Sequence, residues 1–259
     1  MAEKDNRQEN QVYQEEKMEA IGTLAGGIAH RFNNIIGGII GNISLMRLEI
    51  DPTHPHHERL LDVEKEIQRM AKLASQLIGY ARRGRYDVKT VDLNEMVKSS
   101  VDDLTKSRNG IEIRLKLKDV LPVELDVNQI KEVLQAVLIN AAEAMPKDGV
   151  ITVKTRNTAH YDMKGICDAE SKNNSYVLLA ITDMGIGMDR ETLKRIFEPF
   201  FTTKKMRGEA IGLSLASVYG IVKGHDGYID VESEKEQGTT FKIYLPASEE
   251  NDKEMPKAD

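Results

Sequence analysis

The chain has 259 residues, 40% of them hydrophobic, and its formal net charge of −6 disfavours a nucleic-acid-binding protein, which carries a basic face. Its longest apolar stretch, residues 35–46, is shorter than the roughly 20 residues of a membrane-spanning helix, and the polar start lacks a signal peptide. With one cysteine there is no internal disulfide, so the composition predicts a soluble, cytoplasmic chain of one or two domains without membrane contact.

Two helical patterns follow residues 1–13, which we interpret as a disordered segment or linker. Apolar residues recur in alternating steps of three and four, which indicates a coiled-coil seam of period 3.5. The seam residues are Met18, Ile21, Ala25, Ile28, Phe32, Ile35, Ile39 and Met46, with Asn42 the one polar member, then Leu60, Val63, Ile67, Met70, Ala74, Leu77 and Ala81. Prolines separate the two patterns, so residues 14–86 predict an antiparallel helical hairpin. Because narrow apolar stripes bury little alone, we expect a four-helix bundle in a homodimer.

Strands and helices alternate after a predicted hinge near residues 84–90. Apolar patterning predicts strands at 110–117, 150–158, 176–182, 228–233 and 239–245, helices at 126–145, 190–196 and 212–223, and a polar surface excursion at 160–174. This mixture predicts one sheet covered on one face by helices, an α/β sandwich over residues 87–247. The whole chain is therefore assigned to the α+β class, with a disordered charged tail at 248–259.

His30 lies two residues after Ile28, about 200° around a helix, and therefore faces away from the seam. A lone histidine is usually a structural or solvated residue. Here the small residues Gly26, Gly27 and Ala29 leave room for another protein to approach the ring. A neutral imidazole on a rigid helix is a competent nucleophile toward a phosphoryl group.

The segment from Gly22 to Asn34, with its run GGIAHRFNN, closely resembles the phosphoacceptor box of sensor histidine kinases. The resemblance implies that His30 is the phosphoacceptor and that Asn34 positions water for dephosphorylating a response regulator. In the family an acidic residue follows the histidine, whereas Arg31 stands there in this chain. A cation disfavours the imidazolium that develops during attack, so we expect slow transfer from ATP to His30.

A D-x-G-x-G spacing follows the apolar strand at 176–182, and by itself it is as often an ordinary turn. The Asp183 carboxylate at a strand end can accept a hydrogen bond from an adenine amino group, and Gly185 and Gly187 allow close backbone approach to a nucleotide. The Asn140 amide oxygen suits Mg²⁺. Gly212 at a helix start presents backbone N–H groups to phosphate oxygens. Together these residues predict a nucleotide site.

The order of these features resembles the N, G1, F and G2 boxes of the Bergerat ATP-binding fold shared by histidine kinases, gyrase, Hsp90 and MutL. The matching segments are 140–145, 183–189, 197–204, 208–212 and 238–241. The resemblance implies that Asn140 binds Mg²⁺, that Asp183 reads adenine and that Thr239 or Thr240 supports the base through water. The other nucleotide contacts that it implies are Gly185, Gly187, Lys204, Gly208, Gly212 and Leu213. Residues 200–209 are expected to form a lid, and no Walker-type P-loop sequence occurs.

Two further positions depart from the family pattern. Ala136 stands one helical turn before Asn140, where the family often has a second asparagine, and Ala210 replaces a glycine beside Glu209. With Arg31, these substitutions leave two interpretations open. One is a working ATP-dependent histidine kinase that phosphorylates the receiver domain of a response regulator. The other is a weakened kinase that acts as a phosphatase, relay or binding scaffold. A different ATPase of the same nucleotide fold is a third possibility.

Overall fold

The computed structural model describes residues 35–51, 53–67, 70, 87–108, 110–145, 148–163, 175–203 and 212–248. The chain divides into two compact units, Met1–Arg82 and Arg83–Asp259. Among the helices described, none is both long and apolar enough to cross a lipid bilayer.

The described part of the first unit is a helix pair. Helix α1 covers residues 35–49 and helix α2 covers residues 57–67, which confirms the predicted helical hairpin. The turn between them is held by Asp51, whose carboxylate accepts hydrogen bonds from the backbone N–H (2.9 Å) and the hydroxyl (2.7 Å) of Thr53. These bonds lower the pKa of Asp51. An ion pair between Arg47 and Glu64 joins the two helices beyond the turn.

The two helices pack against each other through α1 residues that each follow a predicted seam residue by one position. Ile36, Ile43 and Ile67 are buried there, with Ile40 and Leu60 packed around them. The predicted seam residues of α1 are exposed instead: Ile35, Ile39 and Met46 retain 63%, 41% and 49% of their accessible surface. Helix α1 therefore has two adjacent apolar faces, and α2 covers one of them.

The second unit is a mixed sheet with helices. Its elements in chain order are β1 (Val88–Val91), α3 (Leu93–Ser107), β2 (Ile111–Leu117), β3 (Val123–Asp126), α4 (Val127–Ala144), β4 (Gly149–Ala159), a 3-10 turn (His160–Met163), β5 (Ser175–Asp183), α5 (Arg190–Arg195), α6 (Ser214–Gly224), β6 (Tyr228–Glu234) and β7 (Gly238–Pro246). Five strands form one sheet in the order β2-β4-β5-β7-β6, while β1 and β3 form a separate antiparallel pair. Only β2 and β4 run parallel among these five strands.

Strand β5 lies in the middle of this sheet and is buried on both faces. Its side chains at Val177, Leu179 and Ile181 join the main core, which also contains residues of α3, α4 and α6. Its alternate side chains, among them Tyr176 and Leu178, join a smaller cluster on the opposite face. Burial on both sides explains why this segment is continuously apolar rather than alternating. The predicted sandwich, and with it the α+β class, is confirmed.

Three helices of this unit begin at an aspartate whose carboxylate accepts hydrogen bonds from the first helical turn. Asp92 caps α3, Asp126 caps α4, and Asp189 caps α5 through the N–H of Thr192 (2.8 Å). An N-terminal cap of this type satisfies backbone donors that have no partner inside the helix. Asp189 closes the glycine-containing loop after β5, so the cap also fixes where that loop ends.

Three elements were not predicted: β1, β3 and α3. The apolar face of α3 is formed by Leu93, Val97, Val101 and Leu104, a helical spacing that the sequence contains. One prediction needs correction: within the excursion predicted at 160–174, residues His160–Met163 form a 3-10 turn, and Met163 is buried because it packs against Tyr176. Ser248, at the boundary of the predicted tail, is buried and donates its backbone N–H to the Pro122 carbonyl (2.8 Å).

His225 joins the end of α6 to the start of α4, and its removal tests that connection. Its ring Nε2 accepts the N–H of Asp126 (3.0 Å) and its Nδ1 lies 2.8 Å from the Ile221 carbonyl. We expect His225→Leu to lower the free energy of unfolding by about 1–3 kcal/mol, because a buried N–H loses its partner. His225→Gln keeps an acceptor and should recover part of the loss in denaturant titrations. Equal losses for both variants would contradict this account.

Candidate functional site

The candidate site is organised around Asp183, the last residue of β5. Its side chain is 3% exposed, and its carboxylate accepts hydrogen bonds from the backbone N–H of Gly185 (2.8 Å) and of Thr239. Burial raises the pKa of Asp183, because desolvation disfavours the charged form, while the backbone donors act in the opposite direction. A carboxylate in such a place is a strong hydrogen-bond acceptor.

The loop that follows Asp183 is held by two backbone hydrogen bonds at Ile186 and by a third bond at Met188. The Ile186 N–H donates to the Ala144 carbonyl at the end of α4 (3.1 Å), and the Ile186 carbonyl accepts the N–H of Glu236 (2.7 Å). The Met188 N–H donates to the Ser233 hydroxyl (2.9 Å). The loop is therefore fixed between the helix α4 and the turn joining β6 to β7.

Gly185 and Gly187 are required by this packing. A Cβ atom at Gly185 would lie 2.7 Å from the Cβ of Ala144, and one at Gly187 would overlap the Glu234 carbonyl. Gly187 also has a φ of +59°, a conformation that side chains rarely adopt. The close approach at both positions is therefore to protein atoms of α4 and the β6–β7 hairpin. Their contact with a nucleotide stays a prediction.

The two threonines of the late strand lie on opposite faces of the sheet. Thr239 pairs directly with Asp183 in the β5–β7 ladder and is buried. Thr240 points to the other face, where its hydroxyl lies 3.0 Å from that of Thr182. Of the two residues left open by the sequence, Thr239 is the one that shares a face with the buried carboxylate.

Asn140 lies on α4, one helical turn before Ala144, and residues four apart share a helix face. Since Ala144 contacts the loop at Gly185, Asn140 is on the face of α4 that is adjacent to this loop. It is half-buried. Its amide oxygen is a ligand type that Mg²⁺ accepts when phosphate oxygens and water complete the coordination shell. Ala136, one turn earlier, packs partly against the core and adds no side-chain donor or acceptor.

The region predicted to face the phosphates is described in part. The Gly212 carbonyl accepts the N–H of Phe200 (2.9 Å), which joins the first residue of the predicted lid, 200–209, to a residue that follows it. Gly212 has a φ of +74°, and Leu213, which is buried, precedes α6 without a side-chain cap. The first backbone N–H groups of α6 therefore receive no side-chain bond from Leu213.

The remaining candidate residues lie outside the described part of the chain: His30, Asn34, Lys204 and Gly208, and with them the departures Arg31 and Ala210. The sequence reasoning also missed Ser233, which lies opposite Thr239 in the β6–β7 ladder. A signal existed, because Ser233 is a polar residue at an inward position of a strand whose other inward residues, Ile229 and Val231, pack against the core.

Residues 125–249 match the family described as "Histidine kinase-, DNA gyrase B-, and HSP90-like ATPase". The chain is 37% identical over 241 residues to the sensor kinase CckA of Brucella abortus (strain 2308), covering 92% of this chain and 25% of CckA. It is 32% identical over 236 residues to sporulation kinase C of Bacillus subtilis (strain 168), covering 89% and 50%. It is 30% identical over 243 residues to the sensor histidine kinase ZraS of Escherichia coli (strain K12), covering 93% and 48%. The chain thus spans half or less of these relatives.

Solved structures show the same fold. Full-length ShkA in complex with AMPPNP aligns with a TM-score of 0.65 at 18% identity, over 87% of this chain and 46% of ShkA. The catalytic domain of the histidine kinase ThkA aligns with a TM-score of 0.50 at 25% identity, over 62% of this chain and 96% of that domain.

The raised pKa of Asp183 predicts a pH-dependent stability difference between the wild type and Asp183→Asn. The folded state holds its proton more tightly than the unfolded state, so it binds more protons between the two pKa values. Consequently the wild type should gain stability relative to Asp183→Asn as the pH falls from 7 toward 4. Urea titrations at several pH values without nucleotide measure this difference, and a constant difference across that range would contradict a raised pKa.

Proposed function

Because the chain belongs to the histidine kinase family, with its ATPase domain following an N-terminal helical region, we propose that it is an ATP-dependent protein-histidine kinase. In this proposal the domain binds Mg·ATP and transfers the γ-phosphate to His30. The phosphoryl group then passes to an aspartate of a response regulator receiver domain. The chain spans half or less of the length of these relatives.

The observation that carries the nucleotide part is the buried carboxylate of Asp183 at the end of β5. Two backbone donors hold it in place, and Thr239 lies beside it on the same face. An adenine amino group is a donor of the size and polarity that such a carboxylate accepts. Asp183 would therefore bind the base, and Thr239 would support it directly or through a water molecule.

The phosphates would lie between α4 and the start of α6. When bound, Mg²⁺ would neutralise phosphate charge, and Asn140 would offer it one amide oxygen. The uncapped N–H groups at the start of α6, after Gly212, suit phosphate oxygens. Lys204 and Gly208, which lie outside the described residues, are assigned to the same role by their motif positions. Positioning and charge neutralisation supply most of the catalysis in phosphoryl transfer.

At His30 a ring nitrogen would attack the terminal phosphorus in line, so that a P–N bond forms, the bridging P–O bond breaks and ADP leaves. The phosphoryl group would then pass from the imidazole to a carboxylate oxygen of the response regulator. Asn34, four residues further along the chain, would position a water molecule that removes the phosphoryl group from the response regulator. Arg31 beside the histidine would slow the first step, because it opposes the developing positive charge.

The exposed seam of α1 supports a homodimer. Ile35, Ile39 and Met46 share one face and remain uncovered by α2, and Val63 and Met70 of the second predicted stripe are also exposed. Pairing two such hairpins would cover both stripes and complete a four-helix bundle. The apolar area released from water would stabilise the dimer in proportion to its size.

The dimer can be tested with a matched pair of substitutions in α1. Ile39, on the exposed seam, is 41% exposed, whereas Leu48, on the opposite side of the helix, is 84% exposed. We expect Ile39→Ser to raise the dimer dissociation constant about ten-fold or more, because it removes buried apolar surface from the interface. Leu48→Ser should leave the constant unchanged in analytical ultracentrifugation. Equal effects of the two variants would contradict the proposed seam.

The alternative is a weakened kinase that binds a response regulator as a phosphatase or scaffold. Ala136 favours this alternative, because one helical turn before Asn140 its side chain has no oxygen that could serve as a second ligand to Mg²⁺. In that case nucleotide binding would persist while phosphoryl transfer is slow or absent.

Incubation with γ-labelled Mg·ATP separates the two functions. The kinase predicts acid-labile, base-stable label that disappears in His30→Ala. Arg31→Asp should increase the labelling rate by about ten-fold or more, because it replaces a cation that disfavours the imidazolium with a carboxylate that favours it. A neighbouring charge of this kind shifts a pKa by roughly one unit or more. Nucleotide binding without label in either protein would favour the alternative. ATP turnover that survives His30→Ala would indicate a different ATPase of this fold.

A further inference from the structure

Three polar residues form one row across three neighbouring strands on the helix-covered face of the sheet. Asp183 ends β5, Thr239 lies opposite it on β7, and Ser233 lies opposite Thr239 on β6. Asp183 and Thr239 belong to the proposed nucleotide site. Ser233 has no assigned role, although it connects the site to the loop that follows Asp183.

The Ser233 hydroxyl makes three contacts. It accepts the N–H of Met188 from the loop (2.9 Å), and it lies 3.0 Å from the Gly238 carbonyl and 2.9 Å from the Thr239 hydroxyl. A serine hydroxyl carries one proton, so it can donate to one of the last two at a time. The choice between them determines what Thr239 can offer to a ligand.

If Ser233 donates to Thr239, the proton of Thr239 is free to point into the site, and Thr239 acts as a donor there. If Ser233 donates to Gly238, Thr239 can donate back to Ser233 and then offers acceptor lone pairs to the site. The two arrangements therefore present opposite polarity beside the Asp183 carboxylate.

The base-pairing edge of adenine carries an amino donor next to a ring-nitrogen acceptor. A carboxylate acceptor at Asp183 beside a hydroxyl donor at Thr239, direct or through water, matches that order. Guanine presents a carbonyl acceptor next to an N–H donor, which is the reverse order. The first arrangement of the hydroxyl chain is thus the one that suits adenine, and it requires the proton of Ser233.

We propose that Ser233 is a positioning residue that selects adenine nucleotides, because its hydroxyl fixes the loop through Met188 and keeps Thr239 as a donor toward the base. This rests on the proposed nucleotide site. The effect acts through Thr239 and the loop.

The other face of the same strands provides a matched control. The hydroxyls of Thr182 and Thr240 form a cross-strand pair 3.0 Å apart, at the same end of β5 and β7 but facing away from the helices. Thr182→Val removes that hydroxyl bond without changing the side-chain shape. It measures what a cross-strand hydroxyl pair contributes to folding alone.

The experiment measures Mg·ADP and Mg·GDP binding by calorimetry, together with thermal unfolding, for the full chain and its variants. We expect Ser233→Ala to weaken ADP binding about ten-fold, the effect of losing one well-placed hydrogen bond, and to leave GDP binding unchanged. Ser233→Thr keeps the hydroxyl and should restore most of the ADP affinity. Thr182→Val should lower the Tm without changing either affinity.

Several outcomes would overturn the proposal. Unchanged ADP affinity in Ser233→Ala, while Asp183→Asn loses binding, would remove the role of Ser233 and leave the proposed site standing. Equal losses for ADP and GDP, or the same loss in Thr182→Val, would reduce Ser233 to a structural hydroxyl. If the wild type bound no ADP, or if Asp183→Asn bound it as well as the wild type, the proposed nucleotide site would fail and this inference with it.

Discussion

The buried carboxylate at the end of β5 sets the conditions that the rest of the second unit meets. Desolvation opposes the charge of Asp183, so the fold must supply donors, and it does so from the backbone of Gly185 and Thr239. The first donor requires the chain to turn back immediately after the strand. The second requires β7 to lie in register beside β5. The position of this one side chain therefore depends on both a local turn and a contact between distant segments.

The loop after β5 is held in this turn by two elements that pack closely against it. Helix α4 presents the Ala144 carbonyl to the loop, and the β6–β7 hairpin presents the Glu234 and Glu236 backbone. A side chain at Gly185 or Gly187 would collide with one of these partners. The loop thus couples the helix that carries Asn140 to the strand that carries Thr239. Displacement of either element would move the proposed base and metal contacts together.

The sequence predicted the sandwich because its strands follow strong local patterns, and the spacing of its glycines and polar residues singled out the candidate site. It did not predict β1 and β3, whose four-residue length leaves too little periodicity to detect. It placed Thr239 and Thr240 as equals, since the face of a strand residue depends on register with β5. Ser233 was missed although it stands at an inward strand position, because its bond to Met188 joins positions 45 residues apart, which the sequence alone does not bring together.

The departures from the family pattern are distributed unevenly over the proposed mechanism. The two described residues that the proposal assigns to the base lie side by side: two backbone donors hold Asp183, and Thr239 pairs with it across the strands. The substitutions Arg31, Ala136 and Ala210 all fall where the phosphates and the attacking imidazole would lie. Binding energy for the base and stabilisation of the transition state would then be separable in this chain. Substitutions that weaken only the stabilisation of the transition state lower the rate of phosphoryl transfer while leaving nucleotide affinity intact.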